Sequence, residues 1–245
     1  MAKLTVTQPG KRVVDLLIGV PVLVALLPVL GLIALLVRFW IGAPVIFRQV
    51  RPGLNTRAFT LYKFRTMTDT RDPAGELLPD GERLTSLGRF LRVTSLDELP
   101  EFFNVVRGDL SLVGPRPLLT RYLPYYTERE RLRHAVRPGL TGWAQIHGRN
   151  HVPWDERLAL DLWYVENWSL GLDLRILLGT VWKVLRREGV AVDTDTAETD
   201  LDAERQGKGF TGPMLVCEGV KASDTSEAVV GQKQGEGARL NPGDR

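Results

Sequence analysis

Residues 13–37, VVDLLIGVPVLVALLPVLGLIALLV, limit what this 245-residue chain can become more than any other segment. A run this long and apolar can span a bilayer core. A secretory leader fits badly, because the run is too long and no small-residue cleavage site follows it. Asp15, near its start, is costly in hydrocarbon and is expected at headgroup depth. Pro21 and Pro28 lie inside the run, and each removes a backbone hydrogen bond and presses on the preceding turn. Basic residues flank both ends: Lys3, Lys11 and Arg12 before it, Arg38, Arg48 and Arg51 after it. Such flanks favour keeping both ends on the cytoplasmic side. A helix that enters, bends at Pro28 and returns to the same face satisfies both the prolines and the flanks; a kinked helix that crosses is the alternative.

The charge balance says what the rest of the chain meets. From Asp193 onward there are 11 acidic and 6 basic residues, which leaves 26 basic against 18 acidic in the first 192. A basic body suits an anionic partner, whether nucleic acid, phosphorylated substrate or membrane surface. The single cysteine, Cys217, excludes an internal disulfide framework and a cysteine-built zinc site. Beyond residue 192 the chain is polar, acidic and without sustained periodicity, and 193–245 reads as a mobile tail.

Within residues 41–192, PVIFRQV and AFTLYKFRTM predict two short strands around the turn RPGLN. Period 2 puts Lys63 and Arg65 on the face that carries Phe59 and Leu61, so the second strand runs from core toward an anion site. Residues 70–86 have loop composition, and LGRFLRV after them predicts a short helix with Arg89 and Arg92. In GPRPLL, prolines on both sides of Arg116 stiffen the backbone that carries its guanidinium. Amphipathic patterns over 154–168 and 174–189, rich in Trp and basic residues, predict helices suited to a membrane–water boundary or to a core face.

The stretch VTSLDELPEFFNV sets Asp97 beside Glu98. With Ser95 as N-cap, SLDE would be a capping box, but Pro100 would then cost a helical bond. With Asp97 as N-cap, Pro100 falls at the third helical position, where its missing N–H costs little. The second is preferred, and either way both acids lie at a positively polarised helix N-terminus. Near Lys63, Arg92 and Arg116, the pair suits phosphoryl transfer. A carboxylate can attack phosphorus, and a cation such as Mg²⁺ can bridge carboxylate and diphosphate.

KRVVDLL, YKFRTM, SLDELPEFFNVVRGDLSLVGPRPLL, VRPGLTGWAQIHGRN and LDLRILLGTVWKVL together resemble the bacterial sugar transferase family, and within it the small monotopic phosphoglycosyl transferases. The likeness covers about residues 11–190. It implies transfer of a sugar 1-phosphate from a UDP-sugar to polyprenyl phosphate, expected to be undecaprenyl phosphate, with release of UMP. The reaction would use Mg²⁺ and a covalent phosphosugar–aspartyl intermediate, at the cytoplasmic face of the bacterial inner membrane, in contact with its lipids and with no nucleic acid. Carried over by motif, Asp97 is nucleophile and magnesium ligand, and Glu98 assists. Lys63, Arg92 and Arg116 bind substrate phosphate, and Asp173 is a further functional acid. The expected fold is α+β and mainly helical: residues 1–40 with a re-entrant helix bent at Pro28, a small β-hairpin, and interfacial amphipathic helices. Leu27 stands where many relatives have serine, which removes a hydroxyl that could satisfy a freed carbonyl at the bend. With no long multi-span region ahead of Lys11, a stand-alone catalytic unit is expected. A membrane-bound phosphatase with water as acceptor, or a non-catalytic membrane anchor, would be built from similar parts.

Overall fold

In the computed structural model, which describes residues 6–147, 152–186 and 200–210, the apolar segment is one long helix, α1 (Lys11–Trp40). At 1.5 Å per residue it would reach about 45 Å if straight. Helical backbone runs unbroken across Pro21 and Pro28, so the prolines expected to bend the segment do not end the helix. A proline weakens a helix locally without having to end it. Lys11, Asp15, Gly19, Leu23, Leu30, Ile33 and Val37 are its buried residues. Their spacing of three, four or seven defines a single stripe that packs on the body. Val13, Leu17, Val24, Leu27, Leu32, Leu35, Phe39 and Trp40 are exposed. Among the described residues this is the one helix long and apolar enough to cross a membrane.

The N-terminal end of α1 is anchored by polar contacts. Arg12 donates to the carbonyls of Val105 (2.6 Å) and Val106 (2.7 Å), in the last turn of α4 (Glu101–Arg107). Helix C-terminal carbonyls lack internal partners and attract cations. Gly108 ends α4 with φ 94°, and a Cβ there would meet the Arg12 guanidinium at 3.1 Å. Only glycine suits both demands. Asp15, expected at headgroup depth, is buried in the protein, accepting from Ser111 Oγ and the Leu112 N–H, both at 2.9 Å. Satisfied in this way, the charge does not need water.

Strands β1 (Ile46–Pro52) and β2 (Ala58–Phe64) pair antiparallel, from Ile46 opposite Phe64 to Pro52 opposite Ala58. The outer edge of β2 is met by a side chain of α4. Asn104 accepts from the Tyr62 N–H (3.2 Å) and donates to the Thr60 carbonyl (2.7 Å). An amide placed this way copies one rung of a sheet ladder, so the helix is fixed in register with the hairpin. Inside the predicted loop lies one short turn, α2 (Asp80–Arg83), and then α3 (Ser86–Val93), capped by the Thr85 hydroxyl on the Gly88 N–H. A Cβ at Gly88 would lie 1.9 Å from the Thr66 carbonyl, so α3 can rest on that backbone only through glycine.

A second pair, β3 (Ser111–Val113) and β4 (Gly139–Thr141), runs parallel and leads into α5 (Trp143–His147). Helices α6 (Trp154–Glu166) and α7 (Leu170–Arg186) complete the body. The two amphipathic patterns part company here. Helix α6 buries Trp154, Leu158, Leu162, Tyr164 and Val165, as a core helix does, whereas α7 leaves Leu174, Leu178, Val181 and Trp182 exposed. The central core joins Leu61, Val105, Leu110, Leu112, Val113, Val136, Tyr164 and Ile176. Tail composition hides one more element, α8 (Leu201–Gly207). Leu201 is fully buried beside Tyr122, Leu123, Tyr126 and Trp154. Ion pairs from Arg121 to Asp200 and Asp202, and from Arg205 to Glu130 and Asp155, hold the segment down. The part of the expected tail at 200–210 is therefore docked, and the rest lies outside the described residues.

Candidate active site

Asp97 and Glu98 do not begin an α-helix. They occupy a 3₁₀ turn, Leu96–Glu98, after Ser95 at φ 55°, and α4 starts only at Glu101, with Pro100 as its cap. Pro100 explains the arrangement. Lacking an N–H, it cannot bond back to Leu96, so the shorter-range bonds from Glu98 to Ser95 (3.3 Å) and from Leu99 to Leu96 (3.4 Å) carry the chain forward. The expected caps, Ser95 or Asp97, make no side-chain capping bond there. The acids thus sit one turn ahead of α4 instead of on its first residues.

The 3₁₀ turn faces a cleft of about 850 Å³ lined by Asp97, Glu98, Lys63, Arg92 and Arg116. Five of the six side chains expected at the site are therefore brought together. Lys63 arrives on β2 two residues beyond the buried Leu61, as period 2 predicts. Arg92 comes from α3 and donates to Thr66 Oγ1 at 3.1 Å. Arg116 is carried by the Pro115–Pro117 segment, whose carbonyls are held from several sides. Gly139 N–H reaches Pro115 O (3.0 Å), Arg133 reaches Arg116 O (2.7 Å) and Arg51 reaches Pro117 O (3.3 Å).

Asp173 is elsewhere. It accepts from Lys11, from Tyr164 Oη (2.8 Å) and from Trp168 Nε1 (3.1 Å) in a buried network, and it does not line the cleft. Tyr164 itself also accepts from Lys11 at 3.1 Å. The acid fastens the start of α1 to α6 and α7.

The two acids of the pair have different surroundings. Glu98 Oε1 accepts from Lys63 at 2.6 Å and from Arg116 at 2.5 Å. Burial opposes its charge, but Arg116 and Lys63 outweigh burial and hold the carboxyl well below the usual range. Asp97 is 9 % exposed and makes no hydrogen bond or ion pair among the described residues. Burial, opposed by Lys63 and reinforced by Glu98, pushes it up to about 6. One acid is committed to two cations while its neighbour keeps its oxygens free.

Sequence reasoning missed two further groups. Glu101, 2 % exposed, lies 3.4 Å from Lys63, and burial plus the Glu98 charge push it up to about 7. Its spacing of three from Glu98 and four from Asp97 was the available signal, because such residues share a helical face. Arg51 lines the cleft from β1, held by Gln49 (2.5 and 3.1 Å). Nothing local in the sequence marks it.

No cluster of three metal-ligating side chains occurs among the described residues. Magnesium seldom needs one, because it is commonly held by one or two carboxylates together with water and substrate phosphate. The unengaged carboxylate of Asp97, at a cationic cleft, fits that requirement.

The family model described as Bacterial sugar transferase matches residues 6–187. The chain is 57% identical over 180 residues to an uncharacterized sugar transferase, EpsL, of Bacillus subtilis, covering 74% of this chain and 89% of that protein. It is 41% identical over 183 residues to a UDP-glucose:undecaprenyl-phosphate glucose-1-phosphate transferase of Klebsiella pneumoniae, with coverage of 71% and 39%. An undecaprenyl-phosphate galactose phosphotransferase of Salmonella typhimurium is 37% identical over 201 residues, with coverage of 73% and 41%. The chain thus spans about two-fifths of the length of the two relatives that are named for a reaction. With its acid pair, its cations and its apolar helix inside the matched region, the chain belongs to the bacterial sugar transferase family.

Proposed function

We propose that this chain transfers a sugar 1-phosphate from a UDP-sugar to polyprenyl phosphate by way of Asp97. An Asp97 carboxylate oxygen attacks the sugar-bearing phosphorus, the bond to UMP breaks, and UMP leaves with the electron pair. The phosphate oxygen of the prenyl carrier then attacks the same phosphorus. The acyl phosphate bond breaks, Asp97 returns as carboxylate, and polyprenyl-diphosphate-sugar is released. The observation that carries this reading is the contrast at the pair: Glu98 is saturated by Lys63 and Arg116, while Asp97 lines the cleft with no hydrogen bond or ion pair among the described residues. A nucleophile must have free lone pairs. Glu98, kept ionised, orients Lys63 and Arg116, and those cations with Arg92 bind phosphate and offset its charge. Asp97 would also hold Mg²⁺, which supplies further neutralisation of the diphosphate when bound.

The reading includes a membrane path for α1 that enters and returns, with both flanks at the cytoplasmic face of the inner membrane. Residues near its start (Lys11, Asp15) and near its end (Ile33, Val37) are buried against the same body, which supports placing both ends on one side. The reaction is tested by UMP release with undecaprenyl phosphate against a panel of UDP-sugars. UMP together with a polyprenyl-diphosphate-sugar is expected; free sugar phosphate would make the protein a hydrolase. The path is tested in a Cys217→Ser background by cysteines placed before residue 12 and after residue 40. Labelling from one side is expected, and labelling from opposite sides rules re-entry out.

A further inference from the structure

We propose that Arg51 is a second phosphate-binding group in the cleft and, with Arg116, holds the phosphate that leaves with the nucleotide. The inference rests on the phosphoglycosyl transfer read above. Arg51 lines the cleft yet has no carboxylate partner among the described residues. Its contacts are neutral: the Gln49 side-chain oxygen, which takes Nε (3.1 Å) and Nη2 (2.5 Å), and the Pro117 carbonyl, which takes Nη1 (3.3 Å). A guanidinium carries five N–H donors, so two remain, one on each terminal nitrogen.

The placement is costly without an anion. Burial, and after it the Arg116 guanidinium, lower the Arg51 pKa, which means the free protein brings two like charges together out of water. Glu98 pairs with Arg116, and Lys63 is shared by Glu98 and Glu101; Glu101 acts on Arg51 only through space, and among the described residues no carboxylate forms an ion pair with it. A forked, pre-oriented guanidinium with free terminal donors matches phosphate geometry. Arg51 bonds the carbonyl of Pro117, the residue after Arg116, and Arg51, Arg116 and Asp97 line one cleft. A diphosphate with one phosphorus at Asp97 would set its other phosphate toward Arg51. Gln49 is the positioning residue that keeps the fork aimed.

The test uses the full chain in detergent, with uridine, UMP, UDP and inorganic pyrophosphate as probes, titrated calorimetrically alongside a melting curve. Arg51→Gln is expected to weaken UMP, UDP and pyrophosphate roughly ten- to a hundredfold, the range for losing charge-assisted hydrogen bonds. Uridine should be unaffected. Arg51→Lys keeps a point charge but loses the fork, and should weaken UMP several-fold even if the glutamine variant does not fold. Unchanged UMP affinity in the lysine variant, or in a folded glutamine variant, overturns the proposal. A wild-type protein that binds pyrophosphate but no uridine nucleotide would keep the anion subsite and remove the nucleotide reading. Binding of none of the phosphate probes overturns the subsite itself.

Discussion

Asp97 and Asp173 are almost equally buried, at 9 % and 5 % exposure, and their surroundings are opposite. Around Asp173 every charge is answered: Lys11 pairs with it, and Tyr164 and Trp168 donate to it. Arg133 and Asp161 form a second closed pair, at 2.7 Å. In the cleft the account stays open. Among the described residues Asp97 makes no hydrogen bond or ion pair, and the hydrogen bonds of Arg51 and Arg92 go to neutral groups. Closed clusters hold elements in place, since breaking a buried pair strands a charge. An open cluster tolerates unanswered charge because a ligand is to complete it. The difference divides the two acids more sharply than burial does.

The largest expected effect is on turnover. Asp97→Asn should cut UMP release by about a thousandfold or more, roughly 4 kcal/mol of barrier, with the melting temperature held or raised. Near wild-type turnover from that protein would erase the distinction. Asp173→Asn should do the reverse. It keeps an acceptor for Tyr164 but strands Lys11, and about 3 kcal/mol of stability should be lost, read as a lowered denaturation midpoint. A variant of full stability that has lost turnover would return Asp173 to the reacting groups.

A smaller effect concerns pH. Glu101 is raised to about 7 in the folded protein against 4.5 for the free side chain. The folded state therefore binds the extra proton between those values, and this group's contribution to stability falls as pH rises from about 4.5 to 7. Glu101→Gln should remove that slope and melt higher than wild type at pH 8. Parallel melting curves across this range would show that Glu101 is not under strain.

The parts legible in the sequence are those set by local pattern. The hairpin follows from alternation and the RPGLN turn, α1 from unbroken apolarity, and the acids and their cations from runs of motif. What was hidden depends on distant partners. Arg51 becomes a site residue only when the hairpin meets the Pro115–Pro117 segment, and α8 is anchored by Arg121, Glu130 and Asp155 from other elements. The protein partners of Asp15 were hidden in the same way, because Ser111 and Leu112 lie nearly a hundred residues away. Pro100 was rightly seen as decisive, but the chain answers it with a 3₁₀ turn that the cap arguments did not consider.

The most direct test is intact-protein mass spectrometry after mixing with a radiolabel-free UDP-sugar substrate of the UMP-release panel, with no prenyl phosphate present. One added sugar phosphate per chain, mapped to Asp97 and discharged by undecaprenyl phosphate, is the expected result. A phosphosugar mapped to any other residue, or steady transfer with no adduct on a rapid quench, would contradict an attacking Asp97.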